Sequence, residues 1–239
     1  MFFRYDFHNH SCLSPCGDND MTPCNIVGMA KILNLDIIAL TDHNSCLNCP
    51  AAVKLGENSG VTVIPGMELC TAEEIHVVCL LPNVEKALDF SAYVRERIPP
   101  VKNREEIFGE QLILSENDEI LGKEELLLTT ASSIGIYEVP SLIKSFGGAA
   151  FPAHINRSSY SVISSLGEIT ADMGFSCAEL TRDANLEEYT ERFPDLSDMK
   201  IFYNSDAHYL ENMNLDPKHI ELAEEPTAEA VIEYINSPK

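Results

Sequence analysis

The sequence predicts a parallel α/β fold, on three observations. Short apolar runs alternate with helix-like segments along most of the 239 residues. Histidines and acids gather at or just after the ends of those runs instead of scattering. The loops after the strands of a parallel barrel converge on one face, which is where chemistry is built.

The first run, MFFRYDF, leads into His8-Asn9-His10. In a strand, residues two apart point to the same side, so both imidazoles aim at one spot. A shared metal ion is the most economical reason for that pairing. Thr22-Pro23 then reads as an N-cap with proline at the first helical position. Ile26, Val27, Ala30 and Leu33 continue at helical spacing. The run Asp36–Thr41 ends at Asp42-His43. Val61–Ile64 is followed by a Pro65-Gly66 turn and Glu68. Ile75–Leu81 is a further strand, and its His76 is an exception because it sits at the start of the run. Residues 83–96, 137–146, 184–192 and 227–236 read as helices, the last with Ala230, Val231, Tyr234 and Ile235 on one face. Ala149–Phe151 leads to His154, and Lys200–Tyr203 leads to Asp206 and His208. Residues 99–136 break the rhythm with a hairpin pattern, Gln111-Leu-Ile-Leu, Ser-Glu-Asn-Asp-Glu, Ile-Leu-Gly. That stretch reads as a small insertion within one domain, 1–239, and is the kind of segment that forms a lid.

Composition narrows the function. Apolar residues make up 45% of the chain, enough for a globular core. No apolar stretch approaches the ~20 residues of a membrane helix. Arg4 and Asp6 stand where a secretion signal would be apolar, so no membrane and a cytoplasmic location are expected. The net charge is −22, from 38 acidic and 16 basic residues. Such a surface repels polyanions, so a long nucleic acid is disfavoured as partner. A small phosphorylated substrate remains compatible, because a metal-filled pocket reverses the local field. Eight cysteines without an export signal predict reduced thiols. Cys12, Cys16, Cys46 and Cys49 could hold an iron–sulfur cluster or structural zinc, Cys46-x-x-Cys49 having suitable spacing, but thiols also serve as small core residues.

Six of the seven histidines occur as His8-x-His10, Asp42-His43, Ile75-His76-Val77, Ala153-His154 and Asp206-x-His208, with Glu68 among them. His219 lacks such a context and is assigned to the surface. Imidazole and carboxylate together suit Zn, Mn or Fe. The ordered motifs DFHNHS, LTDHN, PGMEL, EIHVVCLL, PAHINR and NSDAH span residues 6–208. In that order they resemble the PHP family, the polymerase and histidinol phosphatase domain. CLSPCGDNDMTP and the NCP after it resemble stand-alone bacterial members.

The resemblance implies a distorted (β/α)7 barrel with two or three divalent metal ions. One ion would take His8, His10, Glu68 and Asp206. A second would share Glu68 and take His76 and His154. A third would take His43, His208 and an acid from the first loop. Related proteins often read Ser-Asp-Gly before a Leu-Thr-Pro helix start, and counting back from Thr22-Pro23 selects Asp18, with Asp20 and Cys16 as alternatives. The implied reaction is phosphoester hydrolysis by metal-activated water, without a separate side-chain base. Its implied substrate is a small nucleotide or sugar phosphate. Arg157, three residues past His154, is the candidate phosphate clamp; Arg182 and Lys102 are weaker candidates. Glu179 either orients a ligand or forms a plain salt bridge. Two competing readings stand beside this one: a non-catalytic metal-binding or regulatory PHP domain, and an exonuclease acting on short RNA ends.

Overall fold

The computed structural model describes residues 1–213 and 216–239. Ten strands are present among them: β1 Phe2–Asp6, β2 Ile37–Leu40, β3 Thr62–Cys70, β4 His76–Leu80, β5 Leu112–Leu114, β6 Ile120–Lys123, β7 Ala149–Pro152, β8 Cys177–Glu179, β9 Lys200–Phe202 and β10 His219–Glu221. The helices are α1 Pro23–Ile32, α2 Cys49–Ser59, α3 Val84–Arg95, α4 Glu105–Phe108, α5 Val139–Ser145, α6 Val162–Leu166, α7 Leu186–Arg192 and α8 Ala228–Asn236. Local chemistry explains several helix starts. Thr22 Oγ1 accepts from the Asn25 amide at 3.2 Å, ahead of Pro23, and Thr227 does the same for Ala230 at 3.1 Å. Both satisfy amide donors that a first helical turn leaves open.

One sheet runs β10-β1-β2-β3-β4-β7, and β8 pairs with β9 in parallel. The expected distorted (β/α)7 barrel is met in part: the fold is α/β with a curled half-barrel sheet, but that sheet is mixed and not wholly parallel. β1, β2 and β3 are parallel, but β4 is antiparallel to both β3 and β7, and β10 is antiparallel to β1. The short β3–β4 connection, Thr71–Ile75, is too brief for a crossover helix and forces the reversal. This reversal removes the anomaly of His76. The start of β4 lies beside the end of β3, with His76 paired to Cys70, so His76 joins the face that the other strand ends share.

The turn expected at Pro65-Gly66 is also corrected. β3 runs straight through it, pairing Pro65 with Leu40 and Gly66 with Leu80. A side chain at Gly66 would meet the Cys79 carbonyl oxygen at 2.8 Å, so glycine answers close packing here and not a turn.

Apolar residues alternate along β2 to feed two cores. Ile38 and Leu40 join the outer core with Ile26, Val27, Ala52 and Phe90 of the helices. Ile37 and Ala39 join an inner core with Tyr5, Phe7, Phe151 and Phe202, closed by Val231 and Ile235 of α8. Phe7 and Phe202 meet edge-on at 5.5 Å, so aromatic packing anchors the chain just before His8 and just before Asp206.

The β5–β6 hairpin forms where the sequence predicts it. It packs on the loop that follows β1: the Leu112 amide donates to the Cys12 carbonyl at 2.9 Å. Asn48 bridges Leu112 O, the Leu114 amide and Ser11 Oγ at 2.9–3.0 Å. Cys46 and Cys49 are core residues whose thiols both reach the Gly66 carbonyl, and Cys12 packs on Leu112 and Leu114. His219 is exposed on β10.

Candidate metal centre

Six imidazoles and two carboxylates converge at the strand ends. His8 and His10 follow β1, and His43 follows β2. Glu68 sits within β3, His76 opens β4, and His154 follows β7. Asp206 and His208 follow β9. All but His208 are buried. His154 and Asp206 hold left-handed backbone, φ 26° and 51°. Such geometry costs about 1–3 kcal/mol per residue and survives where surrounding structure imposes it.

Glu68 is the hub. Its Oε1 lies 3.1 Å from His8 Nε2, 2.9 Å from His76 Nδ1 and 3.2 Å from His154 Nε2. Its Oε2 lies 2.9 Å from His43 Nδ1 and 3.3 Å from His10 Nε2. Asp206 Oδ1 is 3.1 Å from His10 Nε2 and 3.3 Å from His8 Nε2. Donor atoms can therefore be grouped for ions in three ways: His8, His10, Glu68 and Asp206; His43, Glu68 and His76; and His10, His43 and His208.

The donor set fits divalent metal ions. Atoms that share an ion at about 2.0–2.2 Å lie about 3 Å apart when at right angles, which is the spacing seen here. His43 Nδ1 and His76 Nδ1 lie close to Glu68 but without hydrogen-bond alignment, and both are buried, a costly state that an ion relieves. His8 and His10 are oriented from behind. Glu179 Oε2 is 3.0 Å from His8 Nδ1, and Ser14 Oγ is 3.0 Å from His10 Nδ1 while donating to Asp42. Both contacts place a proton on Nδ1 and leave Nε2 facing the cluster.

Burial alone would raise the Glu68 carboxyl, but the imidazoles of His76, His8 and His43 hold it well below the usual range. Burial pulls His10 down, yet its hydrogen bonds to Asp206 and Glu68 carry it up to about 9. His43 is likewise lowered by burial and raised further by Glu68, to about 9. Burial and the charge of His10 push His208 down to about 3.

The sequence-predicted residues are brought together with three differences. The first grouping is the expected one. In the second, His43 joins Glu68 and His76, with His154 against Glu68. Asp18 stands apart from the cluster: its Oδ1 accepts from the Asp20 amide at 2.9 Å, so a local turn takes the carboxylate. Its amide donates to the His208 carbonyl, and its carboxylate is in none of the donor groups that could share an ion. The loop side chain that contacts His43 is the Cys16 thiol. Arg157 Nη1 lies 2.7 Å from Asp206 Oδ2, the oxygen turned away from His8 and His10. Arg157 and Arg182 both line a cleft of about 270 Å³ beside His154, Asn204 and Asp206. Lys102 lies in the insertion, paired with Leu126, and does not line that cleft. Glu179 orients His8, accepts from the His154 amide at 3.1 Å and is itself held by Asn204 at 2.8 Å.

Sequence reasoning missed Asp42, Asn204 and Tyr160. Asp42 accepts from the Ser11 amide, Ser11 Oγ and Ser14 Oγ, all at 2.7 Å. Its signal was the Asp-His dipeptide, read only for the histidine.

Comparisons agree with this geometry. A family profile described as the PHP domain matches residues 6–119. The 5′-3′ exoribonuclease Rnm of Salmonella typhimurium is 35% identical over 102 residues, 39% of this chain and 33% of that protein. Uncharacterized protein MJ1587 of Methanocaldococcus jannaschii is 32% identical over 94 residues, 36% of this chain and 55% of its own. The chain thus matches a third to just over half of these relatives' lengths. Among solved structures, the lesion-specific endonuclease Q of Pyrococcus furiosus superposes with a TM-score of 0.69 at 17% identity, covering 99% of this chain and 56% of that one. A candidate metal-dependent phosphoesterase of Bifidobacterium adolescentis gives 0.63 at 19%, covering 97% and 94%. At these identities the structures speak for the fold.

The similarities overturn one expectation. A small phosphorylated substrate was expected and a long nucleic acid disfavoured. Yet the relatives include an exoribonuclease and an endonuclease Q, the latter seen with a 27-mer duplex substrate. Net charge misled because it sums the whole surface, while a strand is met locally, and two arginines line this cleft. The family consists of metal-dependent hydrolases, and among the described residues no helix is long and apolar enough to cross a membrane. Its ordered histidine motifs lie on one face, and residues 6–119 match the PHP domain.

Proposed function

We propose that this chain is a metal-dependent hydrolase that cleaves phosphodiester bonds at the end of a nucleic acid strand. The carrying observation is Glu68, a buried carboxylate within 3.3 Å of five imidazoles, three of which keep an unpartnered Nδ1. Ions held by His8, His10, His43, Glu68, His76, His154, Asp206 and His208 would supply Lewis acidity and a water acidified toward neutral pH. The protein's own groups supply the rest. Arg157 sits on the outward oxygen of Asp206 and offers a guanidinium fork to phosphate oxygens. Glu179 and Ser14 hold His8 and His10 in one tautomer. Burial of the cluster excludes bulk water, so charge there acts at full strength.

A cleft of about 270 Å³ lies at the small end of ligand pockets and suits one nucleotide at a time. That supports action at a strand end, as does the similarity to an exoribonuclease. The test uses end-labelled single-stranded RNA and DNA with the protein loaded with Mn, Zn or Fe. A ladder of shortened products, abolished by chelator, is expected. Intact strands under all three metals would overturn the reading, and a single internal cut would replace exonuclease with endonuclease.

A further inference from the structure

Tyr160 is an aromatic that the foregoing mechanism leaves unused. Its ring stacks on that of His76, centroids 4.8 Å apart and planes 26° from parallel. It is nevertheless 45% exposed. The stack on His76 covers one ring face and leaves the residue half exposed.

The backbone holds it there at a cost. Tyr160 has φ 54°, in the left-handed region, which is unfavourable for a bulky side chain. The surrounding bonds impose it. The Tyr160 carbonyl accepts from the His76 amide at 3.0 Å, and the Arg157 amide donates to the His154 carbonyl at 2.9 Å. Ser161 Oγ donates to the Arg157 carbonyl at 2.6 Å and caps α6. One short loop thus fixes His154, Arg157 and Tyr160 relative to each other.

We propose that Tyr160 is a stacking platform for the base of the nucleotide whose phosphate lies at Arg157 and the metal centre. This rests on the nucleic-acid reading above and deepens it, because it makes a planar base, not only a phosphate, part of what the site selects. Base–aromatic stacking is sequence-tolerant, so the platform favours any base over none.

The test compares two single strands, one with a normal terminal nucleotide and one abasic at that residue. The metal-loaded protein should cleave the first about tenfold faster or more in kcat/KM. Tyr160→Phe should keep that preference. Tyr160→Leu should reduce it to near unity, with the loss falling mainly on the base-bearing strand and metal content retained. A purely structural role would slow both strands together or lower metal content, and that result overturns the proposal. So does a preference that survives in Tyr160→Leu. Equilibrium binding of the same strands, read by fluorescence anisotropy, separates the two readings. If neither strand is cleaved but the binding preference is present and lost in Tyr160→Leu, the platform stands and the hydrolytic reading falls. If binding shows no preference, the platform falls whatever the cleavage result.

Discussion

The two halves of the histidine cluster are supported differently. On the parallel side, His8 and His10 each have Nδ1 engaged from behind, by Glu179 and by Ser14 on Asp42, while His43 has no such support. On the antiparallel side, His76 and His154 each keep an unpartnered Nδ1 in a buried setting. The first pair is held in place by the protein alone. The second pair is positioned by the strand reversal at β4 and completed by what binds. A ligand whose ring is already oriented loses little freedom on coordination, so the grouping of His8, His10, Glu68 and Asp206 should fill first and hold tightest.

The strongest way to break the comparison is to remove what both halves share. Glu68→Gln leaves shape nearly intact but takes the charge from all five imidazoles around it. Tight metal binding should vanish in both halves, with activity falling at least about a hundredfold, as read by metal analysis and strand cleavage. A variant that lost only part of its metal and kept its activity would show that the halves are independent. Glu179→Gln sharpens the comparison instead. It touches His8 from behind, so affinity for the first ion should fall about 10–100-fold, while the weaker class of sites stays nearly unchanged in a metal titration. Equal losses in both classes would erase the distinction.

Much of this was legible in the sequence, and the failures have physical reasons. His8 and His10 follow from strand periodicity, and the helix at Thr22-Pro23 from capping chemistry; both are local rules. The reversal at β4 was not legible, because a five-residue connection between two apolar runs does not announce its direction. His76 therefore looked misplaced until the antiparallel register was seen. Pro65-Gly66 has the composition of a turn, yet tertiary packing against Cys79 overrides it. Asp18 was chosen by counting residues along a loop, which fixes a position but not where a side chain points; the amide of Asp20 took the carboxylate. Arg157 was reached by its spacing from His154, while its partner Asp206, 49 residues later, was visible only in three dimensions.

The smallest predicted effect is in pH, and it asks how the cluster behaves without metal. His10 and His43 are carried from an ordinary value of 6.5 up to about 9 by Glu68 and, for His10, Asp206, despite the opposing effect of burial. A group whose pKa is raised on folding contributes stability that is complete below its unfolded value and lost as pH climbs through its folded one. Their contribution is therefore full below about 6.5 and fades toward about 9. Glu68 and Asp206 are held well below the usual range, so their contribution is present above the ordinary carboxylate values and lost only in acid. His208, pushed down to about 3, acts with the opposite sign and costs stability as pH falls below 6.5. The metal-free protein should accordingly be most stable near pH 6.5 and lose several degrees of melting temperature by pH 9. Metal loading displaces those protons, so the loaded protein should not share the decline, and the gap between the two melting temperatures should widen as pH rises. Parallel melting curves with and without metal would show that the imidazoles hold no extra protons in the empty cluster, and that its carboxylates are balanced in some other way.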